Sequence, residues 1–308
     1  MLSHAQREAR RSCIGGSDWA SILGIEGAYS TPLEAWRSKV EPLEDEPSTY
    51  AQERGDALEP FVVKWFGRES GKDVTVNPKV GSGDPALPSW WQCQVDAVVY
   101  EDMATIPLEA KTATVRKRGE WGESGTDQVP LRYVVQVMAQ IAYLGATHGY
   151  LAVDIGGDEF RNYRIERDDR LIAHMLAKGT EFWHLVETKT PPAPTSSAEA
   201  NLVWRTHEPG EYLEADGQAQ ALLRAIAEHK AEEKRRAELR EKLELELKSM
   251  LQHREGLKLG DRVLCTWKTQ ESARVDTAAL KREQPALAAK YLKVSTTRVL
   301  RVKEQGDE

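Results

Sequence analysis

Two hydrophobic periods alternate along the first 190 residues. Apolar positions recur every three or four residues through 49–70, at Leu58, Phe61, Val62, Trp65 and Phe66, and through 130–145, at Leu131, Val134, Val135, Met138, Ile141 and Ala142. Both stretches predict helices with one buried face, the first closed by Gly71. Between them the period drops to two. QCQVDAVVY (92–100), a polar turn at Glu101-Asp102 and IPLEAKT (106–112) predict two strands, and HGYLAVDI (148–155) and EFRNYRIE (159–166) predict two more around a Gly156-Gly157 turn. Two short helices open the chain. Ser17-Asp18 precedes WASILG, and Thr31-Pro32-Leu33-Glu34 has the N-cap, the N1 proline and the N3 glutamate of a capping box. A helix at about 168–188 completes an αα-α-ββ-α-ββ-α order, which predicts a central mixed sheet flanked by helices.

After this unit the pattern weakens. A Pro-rich stretch from Thr190 begins a linker placed at 191–214. Residues 215–252 then read as one long charged helix. Its apolar heptad fails in the middle, where Glu233, Arg236 and Arg240 align with Leu222, Ile226, Leu243 and Leu247, so a solvated spacer is favoured over a coiled-coil seam. Residues 253–308 are expected to form a small basic α+β module: strand DRVLCTWK, helix 276–291 and strand TTRVLRVK (296–303), packed with a basic face. That module is read either as a docking accessory for DNA or a partner, or as a structural extension of the first unit.

Composition narrows the class. Of 308 residues, 40% are apolar and 30% charged, and no apolar run nears the roughly 20 residues of a spanning helix. The N-terminus lacks the apolar stretch of a secretory signal, so a cytoplasmic protein without membrane association is expected. Cys13, Cys93 and Cys265 form no CxxC pair, and the seven histidines show no HxH or HExxH spacing, which leaves no cysteine cage or zinc-nuclease motif. No P-loop is present. The net charge of -7 argues against adhesion to nucleic acid by bulk electrostatics, although residues 256–305 carry 11 basic against 5 acidic residues.

One constellation carries chemistry. Glu109 and Lys111 lie two apart on a predicted strand and so share a face, and Asp96 on the neighbouring strand can converge with them. Two carboxylates and the Ala110 carbonyl are hard oxygen donors of the kind Mg2+ or Mn2+ prefers. Lys111 can orient a water or offset charge on a pentavalent phosphorus, which is the chemistry of phosphodiester hydrolysis. Acidic-x-Lys arises roughly three times by chance at this composition. Glu187-Thr-Lys189, Glu232-Glu-Lys234 and Glu246-Leu-Lys248 sit on charged, helix-like surface; Glu109-Ala-Lys111 stands in an apolar strand behind an aspartate. On the residues alone, a metal site and a surface ion pair both remain open. The Arg116-Lys117-Arg118-Gly-Glu-Trp121 loop sets three cations beside an aromatic ring, suited to backbone contact and base stacking, or to a plain exposed loop.

Several segments in fixed order resemble the PD-(D/E)xK nuclease superfamily, and more closely its phage-type branch, the YqaJ-like viral recombinase and phage lambda exonuclease family. They are Arg10-Arg11-Ser12-Cys13-Ile14-Gly15-Gly16-Ser17-Asp18 with Ala20-Ser21-Ile22-Leu23-Gly24, then Thr31-Pro32-Leu33-Glu34-Ala35-Trp36, then Gly55-Asp56-Ala57-Leu58-Glu59-Pro60. Asp96, Glu109-Ala110-Lys111-Thr112, Trp121 and Tyr133-Val-Val-Gln136-Val follow. Val95 stands where many members have proline, which is no ligand.

The resemblance implies a restriction-endonuclease-like α/β core over residues 1–190 and a Mg2+-dependent 5′-3′ exonuclease, with two ions per site and Mn2+ as a substitute. It implies Asp96, Glu109, Glu59 and the Ala110 carbonyl as metal ligands, Lys111 on the nucleophilic water, and Gln136 on the site groups or the DNA backbone. Arg10 and Ser17 match positions that grip a terminal 5′-phosphate, and Arg116, Lys117, Arg118, Trp121 and Tyr133 fall on the DNA side. By the same resemblance the partners are double-stranded DNA ends, a single-strand annealing protein and further copies of the chain in a homotrimer, and the protein is phage- or prophage-encoded in a bacterial host. A structure-specific or restriction-type endonuclease, and a non-catalytic DNA-end or partner-binding scaffold, stand as alternatives.

Overall fold

The computed structural model describes residues 4–42, 47–294 and 296–302, with side chains described from Glu8 onward. The chain divides into two units, residues 1–199 and 200–308. The first begins with α1 (His4–Arg11), a 3-10 turn at Gly16–Asp18, α2 (Trp19–Ile22) and α3 (Pro32–Val40). Thr31 caps α3 in the expected capping box: its hydroxyl oxygen accepts from the Glu34 N–H, and its own N–H donates to the Glu34 carboxylate. Next come α4 (Tyr50–Ser70), β1 (Val74–Val76), β2 (Ala97–Glu101) and β3 (Ala104–Ala113). A 3-10 helix at Val115–Glu120, α5 (Leu131–Leu144), β4 (His148–Ile155), β5 (Glu159–Glu166) and α6 (Asp169–Glu187) follow.

The strands form one mixed sheet in the order β1-β2-β3-β4-β5. Among the strands of this sheet β3 and β4 are the pair that runs parallel, with Glu109 opposite Leu151 and Lys111 opposite Val153. A parallel pair needs a crossover, and α5 supplies it. Every residue of β4 is buried, as a central strand covered on both faces requires. α5 lies close against β4 at Gly149, where a Cβ would stand 2.7 Å from Val137 Cγ1 and 3.1 Å from Ile141 Cγ1, so a side chain there would push the helix off the sheet. α6 packs through a tryptophan cluster. Trp19 meets Trp91 at 4.3 Å between ring centroids, and Trp90 stacks with Trp91 at 6.2 Å and with Trp183 at 6.3 Å. The Trp36 indole adds a bond to Leu185 O.

Several expectations need correction. The strand predicted from residue 92 starts only at Ala97: before it Gln92 N–H bonds to Ile14 O and 92 and 94 are tied to α5, while Asp96 sits at the mouth of β2 with its carbonyl taking the Asn77 N–H. β1, three residues long, lacks a pattern long enough to read. The stretch placed as a linker holds α7 (Ser197–Val203), whose Glu199 carboxylate is buried and accepts from Thr195 N–H and Oγ1.

In the second unit, α8 (Gly217–Leu251) is capped by Asp216 and exposed along most of its length, with ion pairs such as Arg236–Glu232 and Lys248–Glu244 one turn apart. A β6–β7 hairpin (Gly256–Leu259, Arg262–Thr266) follows. The helix expected over 276–291 is split at Pro285, which lacks the N–H to continue it, into α9 (Thr277–Glu283) and α10 (Pro285–Lys290). TTRVLRVK is not a strand: 296–302 pair with nothing regular, and Lys303 lies outside the described residues. Nor does the module pack as expected, since Val263, Leu264, Val294, Val299 and Leu300 are all exposed. Among the described residues no helix is long and apolar enough to cross a membrane.

Candidate active site

Period two on β3 turns Glu109 and Lys111 to one side, and α5 lies over them. Glu109 is 2% exposed, so its carboxylate has lost water and needs donors. Oε1 accepts from Lys111 Nζ and Gln136 Nε2, and Oε2 accepts from Gln140 Nε2 at 2.5 Å. Asp96 reaches the same place from the mouth of β2, where its Oδ2 takes the Ala110 N–H at 2.9 Å. Burial first, and then the charge of Glu109, push the Asp96 carboxyl well above the carboxylate range, against the pull of Lys111 and of the Ala110 N–H.

Glu59 approaches from α4. Its carboxyl is raised by burial and then by Glu109, so it shares the field of the other two acids. Burial works against the Lys111 ammonium, but Glu109 and Asp96 outweigh it and hold the lysine protonated above its ordinary range. Lys111 Nζ also lies 5.6 Å over the Tyr133 ring. Three acids thus surround one lysine. Among the described residues no group of three or more His, Cys, Asp or Glu side chains stands ready as a metal cage. Glu109 is held by protein donors instead, and Glu59 is a neighbour by charge.

Tyr133 is buried behind Lys111, its hydroxyl 2.8 Å from that of Tyr29. Burial and this bond push Tyr29 up to about 12. Trp121 departs from the expected role of a stacking surface: it is 4% exposed, stacked on Tyr133 at 5.2 Å and tilted against Tyr163. The indole packs the base of the site. The basic loop is a 3-10 helix with exposed side chains; Lys117 faces Glu120 at 3.8 Å and Arg118 pairs with Glu159 at 2.8 Å, while Arg116 forms no ion pair among the described residues.

At the N-terminus, Arg10 and Ser17 are both exposed. Their segments are joined by Lys39, a buried lysine that donates to Arg10 O at 2.9 Å and pairs with Asp18 Oδ2 at 2.7 Å. Gly16, next to Ser17, packs on Gln136 and Gln140 of α5, which brings this turn beside the carboxylates.

A family model described as the YqaJ-like viral recombinase domain matches residues 7–147. Over 303 residues the chain is 30% identical to the uncharacterized protein YqaJ of Bacillus subtilis (strain 168), an alignment that covers 96% of this chain and 92% of that protein. The chain belongs to the YqaJ-like viral recombinase family. Among solved structures it is similar to the alkaline exonuclease LHK-Exo of Laribacter hongkongensis, 20% identical at a TM-score of 0.47, with 61% of this chain and 94% of that one covered. A phage related exonuclease of Haemophilus somnus 129PT is 12% identical at a TM-score of 0.44, with 57% and 96% covered.

The matched range of this YqaJ-like chain holds Arg10, Ser17, Glu59, Asp96, Glu109, Lys111 and Gln136, and ends before β4. Two residues of the site escaped the sequence reading. Lys39 looks like any helix lysine, and only the fold brings it to Asp18. Gln140 looks like any helix glutamine, yet it is fully buried against Glu109. Its signal was present: two glutamines, four apart, interrupt an otherwise apolar face of α5.

Proposed function

We propose that this protein is a metal-dependent nuclease acting on the ends of duplex DNA, which degrades the 5′-ended strand and leaves a 3′ single strand for annealing-type recombination. The observation that carries the reading is the convergence at β3, where Asp96 takes the Ala110 N–H, Glu109 stands beside Lys111, and Glu59 and Asp96 are raised by burial and then by the charge of Glu109. A divalent ion fits that deficit and that donor chemistry: carboxylate oxygens and the Ala110 carbonyl are hard ligands. Asp96, Glu109, the Ala110 carbonyl and Glu59 would hold Mg2+, two ions per site, with Mn2+ as a substitute. When bound, such ions supply Lewis acidity and activation of water at neutral pH.

The chain's own groups do the rest. Lys111, held protonated by its neighbours, orients the attacking water and offsets charge as it grows on phosphorus. Gln136 holds Glu109 on one side and offers the remaining amide hydrogen to the DNA backbone. Arg10 and Ser17 receive the terminal 5′-phosphate, for which a guanidinium fork and a hydroxyl are suited. Arg116, Lys117 and Arg118 track the backbone near the site. A homotrimer enclosing DNA would hold its substrate without strong counterion-release affinity, which accords with the acidic balance of the chain. The 3′ strand passes to a single-strand annealing protein, in the cytoplasm of a bacterial host.

Digestion of linear duplex labelled at either the 5′ or the 3′ end, with Mg2+ and with chelator, tests the reading. Early loss of the 5′-ended strand with the 3′-ended strand intact is expected. Nicking of covalently closed circles would move the protein to an endonuclease, and no cleavage with any divalent ion would overturn the proposal.

A further inference from the structure

Helix α5 is tied to the segment before Asp96 by three side-chain bonds. Trp91 Nε1 donates to Ala139 O at 3.2 Å, Gln140 Nε2 reaches Gln94 O at 3.4 Å, and Tyr143 OH donates to Gln92 Oε1 at 3.0 Å. Gln140 differs from the other two because its amide nitrogen serves two acceptors. The second is Glu109 Oε2 at 2.5 Å. An amide nitrogen carries two hydrogens, enough for one acceptor from each side of the site. Gln140 therefore bridges the backbone two residues before Asp96 and the carboxylate of Glu109.

We propose that Gln140 is a positioning residue that sets the spacing between the carboxylates of Asp96 and Glu109 and thereby the affinity of the site for its divalent ion; this rests on the nuclease reading above. Its own surroundings support the assignment. The side chain is fully buried and its Oε1 has no partner, so the amide sits where its N–H groups are needed and not where all its bonds are met. Lys111 and Gln136 both donate to Oε1 of Glu109, and among the described residues Gln140 is the side chain that donates to Oε2. A Cβ added at Gly16 would stand 3.9 Å from Gln140 Cγ, so the turn at Gly16 runs next to the Gln140 stem. Mg2+ tolerates little departure from octahedral geometry, so a carboxylate released by a few tenths of an ångström binds it worse.

The test is Mn2+ titration of the full chain by calorimetry without DNA, alongside the Mg2+ concentration that gives half-maximal cleavage. Gln140→Met keeps the volume and removes both donors. Weakening of Mn2+ binding by about 10–100-fold is expected, the range typical of groups that orient metal ligands, with a parallel rise in the Mg2+ requirement. Tyr143→Phe, which cuts a neighbouring tie of the same helix without touching a carboxylate, should leave Mn2+ affinity unchanged. Unchanged affinity in folded Gln140→Met, or equal weakening in Tyr143→Phe, overturns the proposal. Should Gln140→Met fail to fold, Gln140→Glu keeps the shape without an N–H and is expected to weaken binding at least as much; equal or tighter binding there also overturns it. A wild-type protein that binds no Mn2+, or Glu109→Ala protein that binds it as well as wild type, removes the metal site itself and not merely the role of Gln140.

Discussion

The sheet carries two charged clusters, and their carboxyls move in opposite directions. Around β3, Asp96 and Glu59 are raised, with burial the largest cause and a neighbouring carboxylate the next. At the end of β2, burial also works to raise Glu101, but Lys72 at 2.7 Å and the Tyr150 hydroxyl at 2.8 Å outweigh it and hold the carboxyl below the usual range. His148 faces the same carboxylate at 3.2 Å, its own pKa lowered by burial and then by Arg164. In the Glu101 cluster one carboxylate meets a lysine and a tyrosine hydroxyl at Oε1, so its charge is matched by a cation of the chain. The β3 cluster sets Glu59, Asp96 and Glu109 around one lysine, the imbalance on which the proposed metal site rests.

The largest expected effect tests the under-compensated side. On the proposed nuclease reading Glu109→Ala should abolish hydrolysis by orders of magnitude while the melting transition persists, because that reading gives its charge to the transition state. Residual cleavage within about tenfold of wild type would break the contrast between the clusters.

Glu101→Gln should do the reverse. Removal of the carboxylate from Lys72 and Tyr150 is expected to cost about 1–2 kcal/mol in urea unfolding, on the scale of hydrogen bonds to a charged group, with cleavage rates nearly unchanged. Because the folded pKa of Glu101 lies below the unfolded value near 4.5, the wild-type advantage is fully present above that pH. It disappears as pH falls through the depressed folded value. Unfolding midpoints of the two proteins at pH 7 and pH 3 check the sign, and a gap that widens in acid would refute it.

Smaller effects refine the outer surface. If Arg10 and Ser17 grip the terminal phosphate, a 5′-phosphorylated duplex should be degraded several-fold faster than a 5′-hydroxyl duplex, and Arg10→Ala should erase the difference; a preference that survives moves the phosphate elsewhere. Smallest of all, Arg116→Ala should lower the salt slope of duplex binding by about one. Arg118→Ala should change it less, since Arg118 is held by Glu159. Equal slopes would show that pairing across this loop has no bearing on DNA contact.

Much of the sheet was legible because alternation is a local property. β4 and β5 fall on the residues their patterns mark, and Glu109 and Lys111 share a face for the same reason. Asp96 was legible as a residue but not as a position, since regular pairing starts only at Ala97 and the partners of 92 and 94 come from α5, far along the chain. Trp121 looked available to a base because it follows three cations, and only Tyr133 and Tyr163, brought from α5 and β5, cover it. Gln140 shows the same limit from the other direction, its role being fixed by a strand 31 residues away in sequence. In the second unit, 296–302 have strand periodicity but form no strand, since alternation does not by itself supply a partner.

The tryptophan cluster beneath α6 has an optical consequence. Trp19, Trp90 and Trp91, three of the nine tryptophans, are in mutual ring contact and Trp183 stacks on Trp90; Gly179 makes room for them, since a Cβ at that position would lie 2.6 Å from Trp19 and 2.8 Å from Trp90. Indoles this close couple their transitions and give a near-ultraviolet circular dichroism band that isolated rings do not. Trp91 is also bonded to Ala139, one residue before Gln140. The band is therefore a built-in gauge of whether α5 is seated, readable without label or substrate while the carboxylates beneath that helix are altered one at a time.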